Sequence, residues 1–560
     1  MKLTGAQVLV KALELEGIGT IFGYPGAAIC PFYDALLDST ITHILTRNEQ
    51  GAAHAASGYS RVTGKTGVCV ATSGPGATNL ITGIATAYSD SIPMVAITGQ
   101  VSLDLIGRDV FQEADITGAT APFCKHNYLV KDIKELPRII KEAFHIAATG
   151  RPGPVLIDVP IDIQTQSIDF IYPETVDIRG YKPNYKGHPQ QIKRIAEAIS
   201  KAKSPIICAG GGVISAKASE IMIKLVEKCG IPVVTTLMGI GSIPTDHPLN
   251  LGMLGSHGVY AANYAVNRTD LLILIGARVG DRALGTAEKI AEKAKIIHID
   301  IDPAEIGKNV STTIPVVGDA KLILEDLYEV IQLGDTAGWV NTVRDLKDKK
   351  VKTNNSKTDD SKTDSSTTDS SRTDSKESDT VNPRLLISML SKRLNEAAIM
   401  ATEVGQNQIW AANNFIVRKP GAFITSGGLG TMGYGLPAAI GAKLGKPEST
   451  VVVVGGDGSF QMSMPELGTI KQTGIGVKII IFNNSRLGMV RELQKNKHNG
   501  RYSQVFLDYN PDFVKLAEAY GFNSEKIINN TQIEAALDRF LADDKTYVLE
   551  CVVDPEEPTI

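Results

Sequence analysis

Residues 455–484 read GGDGSFQMSMPELGTIKQTGIGVKIIIFNN, and their reading decides the fold. The apolar run VVVVGG (451–456) leads into the stretch, and KIIIFNN (478–484) closes it. Both have the length and β-branched content of buried strands, with a helix between them. That is a βαβ crossover, and it sets two parallel strand ends side by side. Each end carries a hard oxygen ligand, Asp457 on the first and Asn484 on the second. Mg²⁺ prefers such oxygens and completes its octahedron with those of a diphosphate. Gly455, Gly456 and Gly458 let backbone approach the phosphates, and the following helix N-terminus favours their charge. A turn and a helix cap would account for either half alone. Both halves at crossover spacing favour the metal–diphosphate reading.

The same rhythm runs outward through the chain. Residues 1–180 open with an amphipathic helix over 4–17, begun by Thr4. TIFGYPG, TGVCVAT and IPMVAIT then read as strands, with an Ala-rich helix over 49–63 and a second helix, GATNLITGIATAY. After a Pro- and Lys-rich boundary at 181–190, residues 190–345 repeat the pattern with SPIICAGGG, a helix from about 215, IPVVTT, TDLLILIGAR and AKIIHIDID. Residues 381–560 repeat it again with AAIMATEVG, STVVVVGGDG, GVKIIIFNN and YVLECVV. The expectation is an α/β protein of three doubly wound parallel-sheet domains. Between the last two, residues 352–380 contain no apolar side chain and repeat SKTD, which predicts a disordered polar linker.

Composition narrows the function classes. The 560 residues carry 57 basic and 61 acidic side chains, a net charge of −4, which offers neither a nucleic-acid footprint nor a polybasic membrane patch. No apolar run is long enough to span a bilayer, and Glu14 and Glu16 stand where a signal peptide would keep its apolar core. The six cysteines are scattered with no CxxC, as in a reducing cytoplasm. The expected location is cytoplasmic.

The crossover resembles the diphosphate–Mg²⁺ motif of enzymes that use thiamine diphosphate (ThDP). That resemblance implies a third metal ligand, the backbone carbonyl of Arg486, and cofactor contacts from Gly458 and Ser459. Such chemistry also needs a carboxylate against the cofactor's aminopyrimidine ring, in a dry place where its proton is shared and not lost to water. Glu49 fits, in RNEQGAAHAASGYSR, where small residues would permit close packing against another subunit's cofactor-binding domain.

A closer resemblance covers nearly the whole chain outside the linker. FGYPGAAI, TSGPGATNLITGIATAYSDSIPMVAITGQV, FQEADI, GRPGPVLIDVP, LGMLGSHG, IDIDPAEIGKN and GGLGTMGYGLPAAIGA, in that order, are similar to the catalytic large subunit of acetohydroxyacid (acetolactate) synthases. The resemblance makes Glu49 the activating acid, Gly430 the carbonyl that receives the cofactor's amino group, and Met432 the wedge that bends it. It places Val404 beneath the cofactor, Gln406 on its diphosphate, and Pro75 and Asn79 at its pyrimidine end. It assigns Phe111, Gln112 and Leu493 to the substrate pocket, and Arg282 to the carboxylate of the incoming 2-oxo acid. Arg151, Gly211, Gly212, His257, Arg278, Asp300 and Asp319 match segments that contact FAD, whose role would be structural. The chain departs from the family's usual residues at Ile161, Ser256, Val279, Gly280, Asn407 and Leu493, and Leu493 replaces a Trp associated with 2-oxobutanoate preference.

The implied activity is decarboxylation of pyruvate and condensation of its two-carbon unit with a second 2-oxo acid, pyruvate or 2-oxobutanoate, to give 2-acetolactate. This is the first common step of branched-chain amino acid biosynthesis. The implied partners are a second copy of the chain, in a homodimer or homotetramer with the site at the subunit interface, and a small regulatory subunit. A flavin-free catabolic acetolactate synthase, a pyruvate oxidase-like ThDP/FAD oxidoreductase and a non-catalytic scaffold are the competing readings.

Overall fold

The computed structural model describes residues 1–283, 287–332, 334–355 and 380–560. Among these, three six-stranded sheets follow one another along the chain. The first comprises β1 (Thr20–Gly23), β2 (Thr42–Leu45), β3 (Gly67–Ala71), β4 (Met94–Gln100), β5 (His126–Leu129) and β6 (Pro154–Pro160). The second comprises β7 (Pro205–Ala209), β8 (Val233–Thr235), β9 (Asn250–Met253), β10 (Leu271–Ile275), β11 (Lys295–Asp300) and β12 (Ile314–Val317). The third comprises β13 (Ile399–Thr402), β14 (Phe423–Ile424), β15 (Val451–Gly456), β16 (Lys478–Asn483), β17 (Asn523–Ile527) and β18 (Tyr547–Val552). Every pairing inside these sheets is parallel.

Helices cover both faces, so the inner strands are apolar throughout and not alternating: GVCVA, MVAITGQ and LLILI are buried at every position. Each sheet therefore has a core on either side, for example one built around Val95, Ile97 and Val155 and an opposite one around Ala96, Cys69 and Leu156.

Strand order locates the sites. The first sheet runs β2-β1-β3-β4-β6-β5 and the third β14-β13-β15-β16-β18-β17, which is one topology used twice. The middle sheet runs β9-β8-β7-β10-β11-β12, the dinucleotide-binding order. In each, successive crossovers diverge at one point, between β1 and β3, β7 and β10, or β13 and β15. A crevice opens there beyond the carboxyl ends of the strands.

Helix α1 (Glu49–Thr63) starts where Asn48 accepts the Gln50 N–H at 2.8 Å and ends at Gly64, in the left-handed region at φ 69°. Helix α2 (Pro75–Ser89) lies beside it. In the third unit α3 (Gln406–Asn414) follows β13, α4 (Gly435–Gly445) precedes β15, and α5 (Gly488–Lys497) follows β16. The closest helix crossing in this set is between α1 and α4. A Cβ on Gly58 would sit 2.0 Å from the Ala438 carbonyl oxygen, and one on Gly441 1.8 Å from that of Ala55. The small residues of α1, which would permit packing against another subunit, meet α4 of their own chain here, because only side chains this small let two helix backbones come so near.

Two further readings change. The helix expected from about 215 is two, Gly211–Ser215 and Ser219–Cys229, broken at Lys217, whose φ of 54° no helix accommodates. The helix Ala337–Asn355, anchored by buried Val343 and by the Trp339 indole on Pro205, runs four residues into the stretch read as linker. The remainder of that stretch, 356–379, lies outside the described residues. No helix among the described residues is long and apolar enough to cross a membrane.

Candidate active site

β15 and β16 pair with Gly456 opposite Phe482, so Asp457 and Asn484 stand at adjacent strand ends, as the crossover spacing predicts. Asp457 is 1% exposed, and burial pushes its carboxyl up to about 6 even though N–H donors surround it. Asn510 donates to it at 2.7 Å and reaches back to Asn483 at 3.2 Å. Asn484 turns its NH₂ to Gln406 Oε1 at 3.1 Å and accepts the Arg486 N–H at 3.1 Å. Among the described residues the Arg486 carbonyl accepts no hydrogen bond.

One buried carboxylate, one amide carbonyl and one free backbone carbonyl make half an octahedron. No cluster of three His, Cys, Asp or Glu occurs among the described residues, so a cation here would take its other ligands from a bound molecule and water. That donor set fits Mg²⁺ carrying a diphosphate. The cleft above it is lined by the predicted cofactor contacts Val404, Gln406, Met432, Gly458 and Ser459, and by Trp410, which was not among them. Within one chain this cleft encloses about 70 Å³, against the ~300 Å³ or more that small-molecule sites require.

The second predicted group forms on the first sheet. Glu49 is the first residue of α1, half-buried, and accepts the Asn79 amide at 3.0 Å. Pro75 opens α2 on the same rim, and a Cβ on Gly76 would come within 3.4 Å of Glu49 Oε1. Gln112 holds φ 58° and lies against Gly74, next to Phe111, which is 86% exposed. None of these residues lines the Asp457 cleft of the same chain, which draws only on residues 404–490. The dry surroundings expected for Glu49 are thus not supplied by its own chain. Gly430 (φ 73°) and Leu493 line neither cleft, Leu493 standing 38% exposed on α5.

A third group lines a larger cavity of about 540 Å³ at the middle sheet's switch point. It gathers all seven FAD-type residues, Arg151, Gly211, Gly212, His257, Arg278, Asp300 and Asp319, and also Arg282. The turn after β7 must be glycine, since a Cβ on Gly212 would lie 2.6 Å from the Gly276 Cα. Asp300 closes β11, where burial raises its carboxyl to about 6, and Asp319 follows β12. A glycine turn facing acids at neighbouring strand ends fits the pyrophosphate and ribose of a dinucleotide such as FAD. Arg151 is already engaged, by Ser91 at 2.9 Å, Glu305 at 2.8 Å and Asp302 at 3.2 Å, so it ties the first unit to the second.

Sequence reasoning passed over several residues that shape these sites. Asn510 braces Asp457 from 53 positions away, with no local signal. Glu403 did carry one, being a charged residue that closes the apolar strand IMAT, and it is fully buried behind Val404.

Comparison with known proteins agrees with this architecture. The thiamine pyrophosphate enzyme N-terminal binding domain matches residues 3–119, the central domain 192–327, and the C-terminal binding domain 403–551. A probable acetolactate synthase large subunit of Methanocaldococcus jannaschii is 49% identical, over 99% of this chain and 93% of that one. The acetolactate synthase large subunit of Corynebacterium glutamicum is 44% identical over 99% and 87%, and the acetolactate synthase isozyme 2 large subunit of Escherichia coli 45% over 99% and 96%. The chain therefore belongs to the thiamine pyrophosphate enzymes and, among them, to the acetolactate synthase large subunits.

Proposed function

We propose that this chain condenses pyruvate, with loss of CO₂, onto a second 2-oxo acid to give 2-acetolactate, with ThDP held through Mg²⁺ and FAD as a structural ligand. The observation that carries the reading is the half-octahedron of Asp457, Asn484 and the Arg486 carbonyl, set in a glycine-lined crevice of the duplicated sheet topology. When bound, ThDP supplies an electron sink for the bond that breaks as CO₂ leaves.

The chain's residues do the rest. Asp457, Asn484 and Arg486 would neutralise and anchor the diphosphate, with Gln406, Gly458 and Ser459 around it. Val404 and Met432 would shape the cofactor, and the Gly430 carbonyl would accept its amino group. Glu49 would hold a proton at the pyrimidine ring nitrogen, with Asn79 orienting the carboxylate and Pro75 alongside. Arg282 would receive the second acid's carboxylate, while Phe111, Gln112 and Leu493 would wall the pocket and exclude water. The FAD-type residues would hold a dinucleotide that has no redox step to perform.

Glu49 lies outside its own chain's Asp457 cleft, which supports a site completed by a second copy, in a dimer or tetramer. The "large subunit" in the relatives' names supports a smaller partner subunit. Leu493, in place of an indole, supports pyruvate over 2-oxobutanoate as acceptor.

The test is turnover of pyruvate with and without added ThDP, Mg²⁺ and FAD, with the carbon product identified. Acetolactate formation dependent on ThDP and Mg²⁺ is expected; acetyl phosphate with peroxide, or no CO₂ release, would overturn the reading. Competing the two acceptors decides the preference, and a strong bias to the 2-oxobutanoate product would refute it.

A further inference from the structure

Met432 and Gly430 sit on a loop that spans Gly427–Tyr434 and runs into α4, between the two clefts. Gly427 and Gly428 line the larger cavity and Met432 the smaller. Buried carboxylates hold both ends of this loop. At its start, Asp90 at the end of α2 accepts the Gly428 N–H at 2.7 Å and the Gly427 N–H at 3.4 Å. The same carboxylate accepts Arg61 Nη2 at 2.6 Å. At its end, Glu403 accepts the Gly433 N–H at 2.7 Å, the Gly435 N–H at 2.8 Å and the Leu436 N–H at 3.3 Å. Between these anchors the Thr431 hydroxyl meets that of Thr86 at 2.8 Å, and Ser426 Oγ accepts the Thr431 N–H at 3.0 Å.

Burying a carboxylate is costly unless its lone pairs are met. Glu403 is 1% exposed, and among the described residues it forms no ion pair; its two oxygens take N–H groups from Gly433 at the end of the loop and from Gly435 and Leu436 in the first turn of α4. An apolar side chain would fill the volume without that cost. What the carboxylate adds is register: three N–H groups converging on two oxygens define where the chain leaves the loop, and Asp90 defines where it enters. Gly430 at φ 73° and Gly433 at φ 88° make the span between them too pliable to hold a shape unaided.

We propose that Glu403 and Asp90 are positioning residues that fix the Gly427–Tyr434 loop, Asp90 at its start and Glu403 where it enters α4, and through it the height of Met432 and the Gly430 carbonyl against the bound cofactor. This rests on the reading that the loop faces ThDP. Glu403 lines neither cavity, and Asp90 lines only the larger, FAD-type one; toward the Asp457 cleft both act through the loop.

The experiment compares the full-length parent with Glu403→Gln, Asp90→Asn and the double variant. Mg²⁺-dependent ThDP affinity is read from the fluorescence of Trp410, which lines the cleft. Pyruvate kcat and KM are measured per bound cofactor, and the near-ultraviolet circular dichroism of the bound aminopyrimidine ring is recorded. Each single variant is expected to bind ThDP within about threefold of the parent, keep KM, lose kcat by roughly 10²-fold and change the ring's dichroism. The double variant should lose little more than either single, because both act on one loop. A kcat within about threefold of the parent, or weakened cofactor binding with an unchanged rate per bound cofactor, would overturn the proposal.

Hydrogen exchange on the parent covers the case of a variant that does not fold. The Gly428, Gly433 and Gly435 amides should be strongly protected, and protection below about tenfold would refute the anchoring. A parent that binds no ThDP would instead sink the functional reading, and the exchange data would still decide whether the carboxylates hold the loop.

Discussion

Gly441→Ala should loosen the whole chain, although it adds only one methyl group. The new Cβ would stand 1.8 Å from the Ala55 carbonyl oxygen, more than 1 Å inside the closest approach that side-chain carbons make. Neither partner can step aside, since both are helix backbone. The relief has to come from separating α1 and α4 by on the order of 1 Å along a seam that also holds Gly58 against Ala438 at 2.0 Å. Overpacking of this kind costs about 1–3 kcal/mol. In a unit of this size that is a fall in melting temperature of roughly 5 °C. The same displacement moves the helix that begins with Glu49, so the rate should drop by up to about 10²-fold. Calorimetry and pyruvate turnover of the variant check both effects. Gly338→Ala is the control, because a Cβ there meets nothing within 4 Å and, near the start of a helix, should be neutral or slightly stabilising. A Gly441→Ala protein that melts with the control and turns over normally would refute the claim that small residues are needed at this crossing.

Glu49→Gln is expected to keep the fold and the cofactor affinity and to lose nearly all turnover; wild-type rates would remove Glu49 from the mechanism. Asn510→Ala, which strips the brace from Asp457, should weaken Mg²⁺-dependent ThDP binding by about 10–100-fold in titration calorimetry, with an unchanged melting temperature in the absence of metal. Asp158, buried between the Thr98 hydroxyl at 2.7 Å and the Gln100 amide at 2.9 Å, has its carboxyl raised to about 7 by burial. The folded chain therefore holds this proton where the unfolded chain has lost it. The associated stability is complete below the ordinary carboxylate range and is lost as pH rises through about 7. Asp158→Asn should consequently gain on the parent by a few degrees of melting temperature between pH 5 and pH 8, and a pH-independent gap would refute the assignment.

What was legible beforehand follows from how far each signal reaches along the chain. Strands such as LLILI and VVVVGG announce themselves because a sheet buried on both faces needs unbroken apolar runs, and the Asp457–Asn484 pair was readable because one crossover fixes the spacing of its two ends. Sheet order is a different kind of fact. That the first and third sheets share one topology shows in no local pattern, since strand order depends on which crossovers reverse. The face of α1 shows the limit most clearly. A run of Ala and Gly says that something approaches closely, and the sequence is equally compatible with a second subunit and with the chain's own α4. The structure chooses α4. That choice bears on the site, because a helix clamped at its middle to its own third unit has little freedom at the end that carries Glu49. Glu466 tightens the arrangement by accepting the Arg47 N–H at 2.9 Å and the Asn48 N–H at 3.2 Å, just before that end. Its own crossover is the one that begins at Asp457. A chain folded this way offers the carboxylate outward on a rigid mount, and any second copy that docks against it has to meet Glu49 in a position its own fold has already set.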